Sequence, residues 1–250
     1  MKQKGYKMSV WLFGDYHRNA TGEKEFLTLN SFPEQTSLSK SDTVIITGDT
    51  GLLSNVTDPD SIYVKEQEWF ATRNYTTLCV MGNHEHWDTF DNLPTIKKWG
   101  ANVKVLKTRK GDLFFTITGE VYIIDNKSFF VVNGALSIDK SMRTIGFDWF
   151  PQETISTRDS NIVIDKALAI KEVDYLLTHT VNADIVRHFT ATGSNYHNIK
   201  YKCHTSEFLA YLSTILKYKE NLFGHFHIQK SIIVNNIKYS CFFKNKPLKL

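Results

Sequence analysis

The chain has 250 residues, 42 % of them hydrophobic and 22 % charged, an ordinary globular composition with length enough for a substantial core. Its net charge of +4 comes without a dense Lys/Arg run and gives little support to a nucleic-acid-binding role. No stretch reaches the ~18 apolar residues of a membrane span. The apolar stretch near the N-terminus is too short for a signal-peptide core. Cys79, Cys203 and Cys241 stand too far apart for a disulfide framework or zinc-type pairs, so a reducing cytoplasm is the expected setting.

In chain order, the first strand is expected over Ser9–Phe13, where "SVWLF" breaks at Gly14 and releases Asp15, Tyr16 and His17. A second runs from Val44 to Thr47 and meets Gly48-Asp49. Asp58-Pro59 offers a helix start, followed by Ile62, Tyr63, Trp69 and Phe70 on one face at helical spacing. The third strand, in "YTTLCV", is followed by Gly82-Asn83-His84-Glu85. Residues 101–135 read as consecutive strands, with Asp125-Asn126-Lys127 as a hairpin turn. Residues 137–161 lack clean periodicity and read as a loop or lid.

The fourth strand, in "VDYLLTHT", leads to His179. Thr205 or Ser206 is expected to cap a helix whose apolar stripe is Phe208, Leu209, Leu212, Ile215 and Leu216. The fifth strand, in "ENLFGHFH", leads to His225 and His227, and a hairpin at Asn235-Asn236 follows. Strand–loop–helix units followed by hairpins predict an α/β protein with two packed sheets flanked by helices, one domain over residues 1–250.

Polar residues therefore stand after each of five strand-like runs: Asp15 and His17; Asp49; Asn83 and His84; His179; His225 and His227. If these strands run parallel, their carboxyl ends share one edge, where α/β proteins place ligands. Carboxylates, imidazoles and an amide without thiolates suit Mn, Fe or Zn. There are too many such groups for one tetrahedral ion; two ions with a shared Asp accommodate them.

The elements "GDYH" (14–17), "GDTG" (48–51), "GNHE" (82–85), "TH" (178–179) and "GHFH" (224–227), in this order, resemble the calcineurin-like metallophosphoesterases. The resemblance implies a four-layer αββα sandwich of two mixed sheets. It implies that Asp15, His17 and His227 hold a first metal, that Asp49 bridges, and that Asn83, His179 and His225 complete a second site. His84 is implied as the acid that protonates the leaving oxygen, while a hydroxide shared by the cations attacks phosphorus. The cofactors implied are two divalent or trivalent ions, Mn ahead of Fe or Zn.

Glycines beside the ligands are expected to permit sharp turns. Glu85 reads as a hydrogen-bonding support, and His86, His188, His197 and His204 as bystanders. Arg18 and Arg143 are candidate clamps for substrate phosphate. The second motif continues "GDTGLLSN" and Met81 precedes Gly82, so both arginines typical of the protein Ser/Thr phosphatases are missing. A small phosphomonoester or phosphodiester is the expected substrate. Nucleic acid is a secondary partner, and an interaction module on the same fold is the alternative from another class.

Overall fold

The structure is a computed structural model that describes residues 8–17, 27–28, 30–190, 203–243 and 247–250. The expected strand-like runs form β1 (Val10–Phe13), β2 (Thr43–Ile46), β3 (Thr76–Cys79), β9 (Tyr175–Thr178) and β10 (Glu220–Phe223). Between them lie β4 (Thr95–Lys98), β5 (Ala101–Thr108), β6 (Gly111–Phe115), β7 (Val121–Ile124) and β8 (Lys127–Val132). The chain continues with β11 (Lys230–Val234), β12 (Ile237–Cys241) and β13 (Leu248–Lys249). The α-helices among the described residues are α1 (Ile62–Ala71), α2 (Trp87–Asn92), α3 (Thr157–Ile170) and α4 (His204–Ile215).

One sheet has seven strands in the order β13-β1-β2-β3-β6-β5-β4; the other has six in the order β11-β12-β10-β9-β8-β7. Their centres are parallel, β1-β2-β3-β6 in the first and β12-β10-β9-β8 in the second, and antiparallel strands lie at the margins. Parallel strands sit between two covered faces and need apolar residues on both. In β1, Val10 and Leu12 enter the core between the sheets while Trp11 and Phe13 face the opposite way. In β8, Phe129 and Val131 enter the same middle core, whereas Phe130 and Val132 meet α3 and α4. α1 packs on β3, β5 and β6. The layers are therefore helix, sheet, sheet, helix.

Both expected hairpins form. Asp125 and Asn126 have φ of 51° and 58°, and Asn235 and Asn236 have φ of 51° and 63°, the left-handed pairs that a tight two-residue turn needs. Three local expectations are corrected. α1 starts at Ile62 with Ser61 as its cap, and Ile62 is exposed because the buried residues gather in the helix's second half, from Glu66 to Ala71. α4 begins after Cys203 without a side-chain cap; Thr205 instead accepts the Ile155 N–H at 3.0 Å. The irregular segment also stops earlier than residue 161. Ser156 accepts the Asp159 N–H at 3.0 Å and donates its hydroxyl to the Asp159 carboxylate at 2.7 Å, so α3 begins at Thr157.

Candidate metal centre

Each parallel strand delivers its polar residues just past its carboxyl end, and the two sheets deliver them to one place. His225 donates its N–H to Asp15 Oδ1 at 2.9 Å, and the His179 ring lies 2.8 Å from the Thr47 carbonyl through Nδ1. These contacts join loops of the second sheet to loops of the first. Two clusters result. In one, ligand atoms of Asp15, His17, Asp49 and His227 all lie within 4.8 Å of one another; in the other, those of Asp49, His179 and His225 do. Asp49 belongs to both. Its Oδ2 is 3.5 Å from His17 Nε2, and its Oδ1 is 3.2 Å from His179 Nε2. Asn83 joins the second cluster, with Oδ1 3.1 Å from His179 Nε2.

The donor set fits metal ions. With Nδ1 donating to the Thr47 carbonyl, neutral His179 turns the lone pair of Nε2 toward one carboxylate and one amide oxygen, three acceptors with a cation's place among them. His17 and His227 face each other Nε2 to Nε2 at 2.9 Å, where at most one proton fits. Asp15, His17, Asp49, His225 and His227 all occupy the left-handed region, with φ from 41° to 73°. Non-glycine residues enter it at a cost and gather at functional sites.

Electrostatics act differently on the three buried rings. Burial lowers the pKa of His17 to about 4 against the opposing pull of Asp49, and burial holds His225 well below the usual range. Both rings are thus kept neutral, the form in which an imidazole can bind a metal. For His179, burial again favours the neutral ring, but the Asp49 carboxylate outweighs it and raises the pKa to about 9. Burial opposes ionisation of Asp49, yet His179 beside it brings its pKa well below the ordinary value.

The glycines serve a purpose different from the expected turns. Of the four beside the candidate ligands, Gly48 has a positive φ, +101°, while Asp15, His17, Asp49, His225 and His227 themselves take left-handed positions. What the glycines supply is room. A Cβ on Gly48 would lie 2.1 Å from His179 Nδ1, and one on Gly82 would lie 2.1 Å from Asp49 Oδ1.

His84 stands outside both clusters, at the mouth of the site. Its N–H donates to Asp49 Oδ1 at 2.9 Å, its ring meets His17 edge-on at 5.0 Å, and its Nε2 is 3.1 Å from Arg143 Nη2. Arg143 also donates to Asp139 at 2.9 Å, which fixes the guanidinium beside His84. Desolvation lowers the His84 pKa, Asp49 opposes this and Arg143 adds to it. Arg18 and His197 lie outside the described residues. His86 caps α2 by accepting the Thr89 N–H at 3.2 Å.

Several supporting residues escaped the sequence reading. The Asn83 amide N–H donates to Ser137 Oγ at 3.1 Å, which turns Oδ1 toward His179. Ser137 in turn donates its hydroxyl and its backbone N–H to the two oxygens of buried Glu153, both at 2.7 Å. Glu85, expected from the sequence as a hydrogen-bonding support, accepts the Thr50 N–H at 2.6 Å and its hydroxyl at 2.8 Å, tying the second and third motifs together. Burial, reinforced by Asp49, raises the Glu85 pKa to about 8. No sequence spacing links Glu153 to Asn83; they are connected only through Ser137, which the fold brings between them.

An αββα sandwich carrying two adjoining Asp/His clusters at its strand ends is the arrangement that the five sequence elements led one to expect of a metal-dependent phosphoesterase. The chain belongs to the calcineurin-like phosphoesterase family, whose sequence model matches residues 8–229. Among solved structures its fold is similar to that of GAP50, "the anchor in the inner membrane complex of Plasmodium" (TM-score 0.52, 11 % identity, covering 96 % of this chain and 76 % of that one). A looser likeness is to the phosphopantetheinyl hydrolase PptH of Mycobacterium tuberculosis (TM-score 0.46, 16 % identity, 96 % and 90 % covered). No curated protein sequence matches the chain. No helix among the described residues is long and apolar enough to cross a membrane.

Proposed function

We propose that the chain hydrolyses a phosphomonoester or phosphodiester at a two-metal centre, with His84 as general acid. The observation that carries this is Asp49, the residue common to both clusters, with Oδ2 3.5 Å from His17 Nε2 and Oδ1 3.2 Å from His179 Nε2. Asp15, His17 and His227 would hold one ion and Asn83, His179 and His225 the other, with manganese the first choice for an all-oxygen and nitrogen set. When bound, the ions supply an activated water and neutralise charge on the phosphoryl oxygens.

The chain's own residues do the rest. Arg143 pairs with a phosphoryl oxygen and holds the ester against His84. The water oxygen forms the new P–O bond, and the ester P–O bond breaks with its electron pair going to the departing oxygen. The attacking water has already given up one proton to solvent on activation, and His84 delivers a proton to the departing oxygen, so the products are an alcohol with inorganic phosphate from a monoester or with a phosphomonoester from a diester. In the substrate-free chain His84 is held toward its neutral form, and the negative charge that favours imidazolium arrives with the ester.

The test is manganese-loaded protein given p-nitrophenyl phosphate and the bis ester. Turnover that a chelator abolishes is expected. His84→Ala should keep its metal and lose about 10²–10⁴-fold in rate, most on esters of poor leaving groups. Equal activity of that variant on unactivated esters removes His84 from its role, and absence of metal-dependent turnover in the parent protein removes the hydrolase.

A further inference from the structure

Next to His84 opens a cleft of about 650 Å³, lined in part by Leu53, Val56, Tyr63, Met142, Phe147 and Phe150. An acid must touch the departing oxygen, so whatever leaves with that oxygen must lie on the His84 side of the site. The walls of this cleft therefore carry information about the alcohol. Of its lining residues Met142 and Phe147 expose 82 % and 72 % of their surfaces, and Ile145 of the same segment exposes 65 %. Large apolar side chains gathered in the open mark a contact surface.

The segment presenting them is held in shape. Gly146 donates its N–H to the Trp149 carbonyl at 2.8 Å, and the Phe147 and Asp148 N–H groups both donate to the Thr144 carbonyl at 3.1 Å. Asp148 closes the turn by accepting the Thr144 N–H at 2.5 Å. Phe147 is thus displayed on a bonded turn, which spares a ligand the cost of ordering it.

Charge decides the rest. Among the described lining residues the Lys/Arg cation is Arg143, at the inner end against His84, and Asp139 and Asp148 also line the cleft. An alcohol bearing another phosphate, as a polynucleotide's does, would bring that anion to Asp148 and Glu85, with Arg143, already paired with Asp139, the Lys/Arg cation among the described lining residues. An uncharged apolar alcohol would lie against Met142 and Phe147 and meet no such repulsion.

We infer that the cleft beside His84 receives the leaving group, and that the substrate is the phosphoester of an uncharged, largely apolar aryl or alkyl alcohol. This rests on the hydrolase reading for its chemistry, but the cleft can be tested by binding alone. Manganese-loaded protein is expected to bind 2-naphthylmethylphosphonate about tenfold more tightly than methylphosphonate in calorimetry. Both Met142→Ser and Phe147→Ser alter exposed side chains and leave the core intact; their double variant should lose most of that preference. In turnover, 2-naphthyl phosphate should exceed 4-carboxyphenyl phosphate in kcat/KM by a similar factor. Equal affinity for the two phosphonates, or stronger competition from short oligothymidylate than from the naphthyl ligand, overturns the assignment. A retained binding preference without turnover of any ester supports the cleft and sinks the hydrolase reading by itself.

Discussion

Asn83 and Glu153 do not touch, yet Ser137 joins them, accepting from one at 3.1 Å and donating to the other at 2.7 Å. All three are buried. The orientation of a candidate metal ligand is thereby set by a carboxylate seventy positions along the chain. Outer partners of metal ligands typically govern affinity by about 10–100-fold. Ser137→Ala and Glu153→Ala should each weaken the second metal by that order, read by titrating metal into ion-free protein. Glu153→Gln, which presents one acceptor and one donor to the two Ser137 donors, should fall between. Unchanged affinity in all three would mean that Asn83 holds its orientation without them.

Asp49 is the residue common to both clusters. Asp49→Asn removes the charge that faces His17 and His179 while preserving shape. Metal analysis of the purified variant should show loss from both sites. Full occupancy would contradict a bridging role.

Gly82→Ala tests close approach separately from charge. The added methyl would sit 2.1 Å from Asp49 Oδ1 and 2.5 Å from the Asp49 backbone nitrogen, so the backbone as well as the side chain must move. Overpacking of this kind costs about 1–3 kcal/mol. The denaturant midpoint should drop accordingly, together with metal content; a variant with parental stability and metal would show that the loop accommodates the methyl freely.

Far from the centre, Asp174 sets part of the acid limit. Its hydrogen bond from Lys219, with further bonds from Ser128, lowers its pKa from 3.8 to about 2. A carboxyl depressed in the folded state stabilises fully above the unfolded pKa and loses that contribution as pH falls through the folded one. The gap in denaturant midpoint between parent and Asp174→Asn should therefore be widest above about pH 4 and close toward pH 2. A gap independent of pH would remove the ionised form from the account.

Much of the site was legible because the five motifs sit directly at strand ends, and strands of β-branched and aromatic residues announce themselves. Asn235-Asn236 was equally readable, since paired left-handed residues have few other uses. The rest depended on contacts between distant segments. Glu66 and Gln67 are polar, yet α1 buries them; Gln67 donates to the Leu52 carbonyl at 2.7 Å, a partner that periodicity cannot reveal. Glu153 was hidden for the same reason. The start of α3 was readable in Ser156 and Asp159, a capping pair that the aperiodic stretch before it obscured.

The candidate ligands come from loops after β1, β2 and β3 in one sheet and after β9 and β10 in the other. An ion seated among them is a rivet through both halves of the sandwich, and its binding energy adds to the folding stability of the whole. Starvation for metal would then do more than idle a catalyst: it would loosen the seam between the halves and hand the polypeptide to cellular proteases. Abundance of the chain would track metal supply.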